Sequence, residues 1–251
     1  MARPAHSYTP PPVPPAPRRQ VIPRPPSWRP GGPAPWAVLA EGEGRGIGLE
    51  RVRKVVEAHH LALSGRERVT FDGFPDPGAP SAVLVPVFEE AGEARVVLTR
   101  RAAHLRTHTG EVSFPGGRLE PGEPPEAGAR REACEEVGLD PSSVTVVGEL
   151  SPLATFSSGS RITPVVGLLP GRPALVANPA EVEHLFDVAL AELAVEGVFR
   201  EEWWQVPGRP QLSTMDAEGW FPVWFFELPD DTVWGATARM LVELLRLVLD
   251  V

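Results

Sequence analysis

The spacing of apolar residues predicts a domain in which helices flank a set of short strands. Apolar residues at helical spacing, such as Leu49, Val52 and Val56, alternate with polar positions and predict amphipathic helices. These helices are predicted from Gly48 to about Leu63, from Glu126 to Val137 and from about Ala236 to Leu249. Short β-branched runs predict strands at Ser81–Phe88, Ala94–Thr99, Val144–Val147, Ile162–Leu169 and Phe221–Glu227. Strands mixed with helices in this way predict a layered α/β domain.

Residues between and beside these elements add detail. The polar link Glu89–Glu93 predicts that the first two strands form a hairpin. Pro125 near the start of the second helix and Gly138 just after its end match the expected asymmetry of helix termini. The segment Val182–Leu193 fits either a helix or a strand.

Proline dominates the start of the chain and predicts a separate tail. Thirteen of the 31 prolines lie in Met1–Trp36. Because proline fixes φ and lacks an amide donor, we expect neither a helix nor a sheet to propagate through this segment. We therefore divide the chain into a disordered Pro-rich tail, residues 1–40, and one domain, residues 41–251. A docking arm for a polyproline-binding partner, a disordered extension and a wrongly assigned start all fit this composition.

Composition and charge exclude several classes of protein. Hydrophobic residues make up 42% of the 251, which is enough for a core, and no apolar run approaches the roughly 18–20 residues that cross a bilayer. The single cysteine, Cys134, cannot form an internal disulfide and favours a cytoplasmic protein. The first 40 residues carry a net charge of +5 and the remaining 211 carry −14. Such an acidic domain argues against a nucleic-acid partner.

Three carboxylates on the second predicted helix are the first candidates for chemistry. Glu132, Glu135 and Glu136 stand at i, i+3 and i+4, so they share one helix face. Unpaired, they repel one another, and a divalent cation would offset that repulsion. Oxygen ligands favour a hard ion such as Mg²⁺. A solvated surface explains the same pattern.

The surrounding residues match a longer pattern. The chain reads Gly117, five residues, Glu123, seven residues, and then Arg131-Glu132-Ala133-Cys134-Glu135-Glu136-Val137-Gly138-Leu139. Residues 117–139 resemble the Nudix box, the signature of hydrolases that split nucleoside diphosphates linked to another moiety. All seven fixed positions are filled, and Ala133 alone departs from the pattern, where a bulky aliphatic residue is usual. The resemblance implies a Nudix fold, with a mixed β-sheet sandwiched between helices.

The resemblance also implies roles for individual residues. Glu132, Glu135 and Glu136 become the catalytic, metal-binding carboxylates for Mg²⁺ or Mn²⁺, with Glu132 and Glu136 as first choices. Gly116 and Gly117 let the backbone pass close to the metal and the phosphates, which a Cβ would obstruct.

Two further roles concern the support of the site and the general base. Arg131 and Glu123 are implied to form an ion pair that holds the loop against the helix. The base comes either from the box, where Glu135 is the candidate, or from a later loop, where Glu181 and Glu183 are candidates. Cys134 is expected to point away from the ligands, as a small core residue.

A second motif precedes the box and is more discriminating for the substrate. Leu98-Thr99-Arg100-Arg101-Ala102 is followed by Arg106, Gly110 and Phe114-Pro115-Gly116-Gly117, each after three residues. Residues 98–117 look like the extra motif of the coenzyme A pyrophosphatase branch of the family. Coenzyme A carries a 3′-phosphate besides its pyrophosphate, so its site needs additional positive charge. The candidate cations are Arg100, Arg101, His104, Arg106 and His108. The alternative is that some of these arginines pair with structural carboxylates.

Downstream features extend this resemblance to the end of the chain. Ser157-Ser158-Gly159 and Trp234-Gly235-Ala236-Thr237-Ala238 also resemble the branch. Five of the seven tryptophans lie after residue 200, and one of them could stack on adenine, although such residues more often belong to a core or a homodimer interface.

The sequence therefore predicts an enzyme that acts on a small molecule, without a nucleic-acid or membrane partner. We expect a Nudix hydrolase that cleaves coenzyme A or its thioesters to 3′,5′-ADP and 4′-phosphopantetheine or its acyl form. The alternatives are a pyrophosphatase for ADP-ribose or other nucleoside diphosphate derivatives, and a Nudix domain that senses a ligand without catalysis.

Overall fold

The structure is a computed structural model that describes residues 20, 22–39, 46–64, 78–104, 110–155, 160–206 and 215–251. Its helices are α1 (Leu49–Ser64), α2 (Pro125–Val137), α3 (Leu190–Leu193) and α4 (Gly235–Leu249). Its strands are β1 (Ser27–Pro30), β2 (Gly78–Glu90), β3 (Glu93–Arg101), β4 (Val112–Ser113), β5 (Gly116–Arg118), β6 (Thr145–Glu149), β7 (Leu153–Ala154), β8 (Ser160–Leu168), β9 (Val182–Ala189), β10 (Phe199–Gln205), β11 (Trp220–Glu227) and β12 (Thr232–Trp234). In these ranges no helix combines the length and the apolar character that a membrane span requires.

A mixed sheet forms the centre of the domain. Its strands follow the order β4-β3-β2-β8-β6, and β5, β7 and β9 pair with β2, β8 and β3. β2 and β8 run parallel, while β2 and β3 form the antiparallel hairpin that the sequence predicted. The mixed α/β sheet of the predicted fold class is confirmed.

Helices cover both faces of this sheet. β2 alternates its side chains between the faces, since successive residues of a strand point to opposite sides. Val85 and Val87 share a buried cluster with residues of α1 and α4. Ala82 and Leu84 belong to a second cluster, built with residues of α2. The sheet is therefore sandwiched between helices, as expected.

A smaller antiparallel sheet, in the order β1-β10-β11-β12, corrects the expectation of a disordered tail. Within residues 22–39 that expectation is wrong, because Ser27–Pro30 pairs with β10 at the edge of this sheet. Proline is tolerated on an edge strand, where a missing amide donor faces solvent. Trp36 is only 5% exposed and stacks on Phe226 in the core. Residues 1–19 and 21 lie outside the described residues.

The remaining differences from the predictions are local. Helices α1, α2 and α4 lie within one residue of their predicted bounds. Val182–Leu193, which fitted either type of element, is strand β9 followed by the short helix α3. β10 was not predicted, because Phe199–Gln205 carries charged residues among its apolar ones.

Candidate active site at the end of the box helix

The box helix α2 rests on the central sheet through small residues. Ala129, Ala133 and Val137 repeat every four residues, are buried, and pack in the cluster with β2. Ala133 is fully buried where the family pattern has a bulky aliphatic residue. Cys134, one position further round the helix, is exposed, so the expectation of a core cysteine is wrong.

The end of α2 is fixed by Gly138. This glycine has a φ of 66° and its amide donates to the carbonyl oxygen of Cys134 at 3.0 Å. The left-handed conformation suits glycine and stops the helix immediately after the box glutamates.

The box glutamates differ strongly in exposure. Glu136 is 3% exposed, Glu132 is 15% exposed and Glu135 is 56% exposed. Burial raises the pKa of Glu136 to about 7, and burial also raises the pKa of Glu132. The shared helix face predicted from the sequence is thus divided into two enclosed carboxylates and one that faces solvent.

Two polar contacts orient Glu136. The backbone N–H of Gly116 donates to its Oε2 at 3.0 Å, and Nη1 of Arg101 lies 3.6 Å from its Oε1. Both contacts favour the ionised form of the carboxyl, and desolvation outweighs them. The arrangement brings Gly116 and Arg101, two of the residues predicted to bind substrate, to a predicted metal ligand.

The ion pair implied by the family resemblance is present. Nε and Nη2 of Arg131 each donate to a carboxylate oxygen of Glu123 at 2.9 Å. This bidentate contact lowers the pKa of Glu123 to about 2. Arg131 also reaches Glu132 at 3.0 Å and Glu135 at 3.4 Å, so it links the loop to the box carboxylates.

The two glycines of the motif allow close backbone approaches of different kinds. A Cβ at Gly117 would lie 2.5 Å from the Glu132 carboxylate. A Cβ at Gly116 would lie 2.5 Å from the Cα of Val83 on β2 and would also meet the carbonyl oxygen of Ala82. Gly117 therefore gives room to a box side chain, while Gly116 gives room to the neighbouring strand.

Of the two candidate bases outside the box, Glu181 is the one whose charge acts on the enclosed box glutamates. Its negative charge raises the pKa of both Glu132 and Glu136. The charge of Glu183 acts instead on Arg100.

The described carboxylates suit a divalent cation, but they do not form a complete set of protein ligands for it. Among the described residues, no group of three or more His, Cys, Asp or Glu is gathered closely enough to hold a metal. The enclosed oxygens of Glu132 and Glu136 lie within electrostatic reach of each other and of Glu181, and a cation would relieve that repulsion. Mg²⁺ commonly uses one or two protein carboxylates and completes its shell with water and substrate phosphates.

The residues of the predicted cationic cluster have different surroundings in the structure. Arg100 is buried and donates two hydrogen bonds, of 2.7 and 2.6 Å, to the carboxylate of Asp231. It therefore takes the structural role that the sequence left as the alternative. Nε2 of His104 lies 3.0 Å from the carbonyl oxygen of Ala180. Arg106 and His108 lie outside the described residues, as does Ser157-Ser158-Gly159.

A cavity of about 660 Å³ lies beside the glutamates. Gly116, Gly117 and Arg101 contribute to its wall, together with aromatic residues from β10, β11 and β12. Arg239 of α4 also lines it, and the sequence reasoning missed this residue. No local signal marked it, because an arginine on an amphipathic helix usually faces solvent.

Comparisons with known proteins identify the family of this chain. A family model for the NUDIX domain matches residues 78–223. The chain is 38% identical over 195 residues to Nudix hydrolase 22, chloroplastic, of Arabidopsis thaliana, an alignment that covers 72% of this chain and 61% of that protein. It is 37% identical over 174 residues to the uncharacterized Nudix hydrolase NudL of Photorhabdus laumondii, covering 69% of this chain and 87% of that protein.

The solved structures that match this chain include a MutT/nudix family protein from Enterococcus faecalis. It is 16% identical, with a TM-score of 0.48, and the match covers 84% of this chain and 76% of that one. A Nudix hydrolase from M. smegmatis, RenU, is 26% identical, with a TM-score of 0.41, over 46% of this chain and 73% of that one.

Proposed function

This chain belongs to the Nudix family, and from that premise we propose that it hydrolyses the pyrophosphate bond of coenzyme A or its thioesters. The observation that carries the proposal is the meeting of the two motifs. Gly116 and Arg101, from the upstream motif, contact Glu136 of the box, and both line a cavity of about 660 Å³. A cavity of this size suits a nucleotide-sized ligand.

The chemistry requires a metal ion, for which Glu132 and Glu136 are the proposed ligands and Glu135 a further candidate. Held by these carboxylates, Mg²⁺ or Mn²⁺ would neutralise charge on the pyrophosphate and lower the pKa of an attacking water. Arg131 orients the side chain of Glu132, and the amide of Gly116 orients that of Glu136. Arg101 is placed to attract the phosphates, because it lines the cavity and its Nη1 lies 3.6 Å from Oε1 of Glu136.

In the reaction, the oxygen of water forms a bond to one phosphorus and the bridging P–O bond breaks. The proton of the water passes to a base, and 3′,5′-ADP and 4′-phosphopantetheine leave. Glu135 and Glu181 are the candidate bases. We favour Glu181, since its charge acts on both enclosed glutamates, whereas Glu135 faces solvent and lies 3.4 Å from Arg131.

The choice of coenzyme A rests on the motif at residues 98–117. The test incubates the purified protein with Mg²⁺ and either coenzyme A or ADP-ribose, and separates the products by chromatography. Release of 3′,5′-ADP from coenzyme A supports the proposal. Cleavage of ADP-ribose alone would assign the protein to the nucleoside-diphosphate-sugar pyrophosphatases, and no cleavage with either Mg²⁺ or Mn²⁺ would favour a ligand-sensing domain.

A further inference from the structure

The cavity beside the box is lined by two groups of residues with different chemistry. One group is Gly116 and Gly117, which contact the box glutamates. The other group comes from the first part of helix α4 and includes Gly235, Thr237 and Arg239. The chemistry proposed above uses the first group only, which leaves the α4 residues without an assigned ligand group.

Arg239 places a positive charge on the α4 side of this lining. No hydrogen bond or ion pair joins its guanidinium to any other residue in the described parts of the chain. Glu243, one turn further along α4, is the carboxylate whose charge acts on it, although Glu111 also lines the cavity. Glu243 itself contacts His59 at 3.0 Å and accepts from the amide of Ser151 at 3.0 Å.

The surroundings make this charge costly in the absence of a ligand. Burial lowers the pKa of Arg239, which means that desolvation disfavours its charged form. By contrast Arg100, a buried arginine of β3, has a bidentate carboxylate partner in Asp231. Within the described ranges Arg239 lacks such a partner, and an anionic ligand group bound in the cavity would supply one.

Aromatic rings line the same cavity as Arg239. Trp204 and Trp234 line it with their ring centroids 6.1 Å apart, and Trp234 also stacks on Phe225. Flat, apolar walls of this kind suit a nucleobase, which can stack on an aromatic ring. Gly235 and Thr237 from the first turn of α4 also line the cavity, and Trp234 provides no side-chain cap for this helix.

We propose that the cavity wall formed by α4, Trp204 and Trp234 binds the nucleotide half of the substrate, and that Arg239 binds a phosphate on its ribose, separate from the pyrophosphate. The inference rests on the proposed function, in which that group is the 3′-phosphate of coenzyme A. On this proposal, Arg239 is the residue that distinguishes substrates with this phosphate from substrates without it. Phosphate recognition thereby moves from Arg100, which is already paired, to an arginine 139 positions further along the chain.

The test compares coenzyme A with 3′-dephospho-coenzyme A as substrates for the wild type, Arg239→Met and Arg239→Lys. The matched control is Arg246→Met, on the same helix, where the arginine is exposed. In the wild type and in the control, we expect a higher kcat/KM for coenzyme A, mainly through KM. In Arg239→Met we expect the ratio of the two kcat/KM values to fall by about 10- to 100-fold, the range of a charge-assisted contact. Arg239→Lys should give an intermediate ratio, because it keeps the charge and loses the planar fork.

A ratio in Arg239→Met equal to that of the wild type would overturn the inference. If Arg239→Met does not fold, as judged by circular dichroism, the Arg239→Lys ratio decides in the same way. A second measurement separates this inference from the proposed function, by titrating 3′,5′-ADP and 5′-AMP while tryptophan fluorescence is recorded. A wild-type preference for 3′,5′-ADP that Arg239→Met loses supports the inference even if coenzyme A is not hydrolysed. Equal binding of the two nucleotides by the wild type would contradict it.

Discussion

The backbone N–H of Gly116 donates a hydrogen bond of 3.0 Å to Oε2 of Glu136, and this contact joins strand β5 to the box helix α2. The next glycine, Gly117, lies against the carboxylate of Glu132. Two adjacent backbone positions therefore control the two enclosed carboxylates of the site. Because a Cβ at each position would meet a different neighbour, substitutions at the two glycines should have different consequences.

Replacing Gly117 by alanine should lower activity more than stability. The new Cβ would lie 2.5 Å from the Glu132 carboxylate, which is the movable end of a side chain and can shift. We expect kcat to fall at least about 10-fold, the cost of a modest misplacement of a catalytic group, with a small change in Tm. Gly116→Ala should instead lower Tm, since its Cβ would meet the backbone of β2. Gly171→Ala is the control, because its Cβ would meet no atom within 4 Å. Equal loss of Tm in Gly116→Ala and Gly117→Ala would contradict this account.

The Glu123–Arg131 ion pair should make the stability of the folded protein depend on pH in the acid range. The pair lowers the pKa of Glu123 to about 2 in the folded protein from an ordinary value of 4.5. Its contribution is therefore present above about pH 4.5 and is lost as the pH falls towards 2. We expect Glu123→Gln to have a lower Tm than the wild type at pH 6, and the difference to shrink steadily between pH 4.5 and pH 2. Glu120→Gln, at a nearby exposed position, should show no such convergence. A Tm difference that does not change with pH would show that the ion pair is not its source.

The Arg100–Asp231 pair should act on stability rather than on substrate binding. Both side chains are buried, so removal of either partner leaves an uncompensated charge. Asp231→Ala should destabilise the protein by about 3–5 kcal/mol, and the double change Arg100→Met with Asp231→Leu should recover much of that loss. Urea unfolding measures both values. If Asp231→Ala raised KM for coenzyme A without lowering stability, Arg100 would belong to the binding site after all.

Residues 22–39 should contribute to the stability of the fold, chiefly through Trp36. Its ring is 5% exposed and contacts Phe199 and Phe226, with centroid distances of 5.2 and 6.2 Å. We expect Trp36→Ala to destabilise the fold by about 3–5 kcal/mol, as for other buried aromatic residues. Val38→Ala, at a position that is 82% exposed, should leave the free energy of unfolding almost unchanged. Similar urea midpoints for the two variants would mean that this segment does not belong to the core.

The parts of the fold that the sequence predicted are those with a local signal. Helix α2 has a proline at its start, a glycine at its end and an apolar face, and all of these act within a few residues. The β2–β3 hairpin is likewise a contact between neighbours in the chain. Strand β1 has no such signal, because its order comes from pairing with β10, more than 170 residues away in the sequence.

The site was predictable to the same extent. Glu132, Glu136 and Gly116 occupy fixed motif positions, and the structure places them together. The sequence could not show that Arg100 pairs with Asp231, because the two residues meet only through the tertiary fold. Arg239 was missed for the same reason, since only the packing of α4 beside the cavity distinguishes it from a surface arginine.

The most direct test of the central claim is the hydrolysis of coenzyme A by the wild type and by Glu136→Gln, with saturating Mg²⁺. The amide keeps the size of the side chain and its acceptor for the Gly116 N–H, but it removes the charge that would hold the metal. We predict equal amounts of 3′,5′-ADP and 4′-phosphopantetheine from the wild type, and a rate lower by about 10³-fold in the variant, with an unchanged circular dichroism spectrum. A variant that still cleaves coenzyme A at the wild-type rate would contradict the assignment of Glu136, and with it the proposed active site.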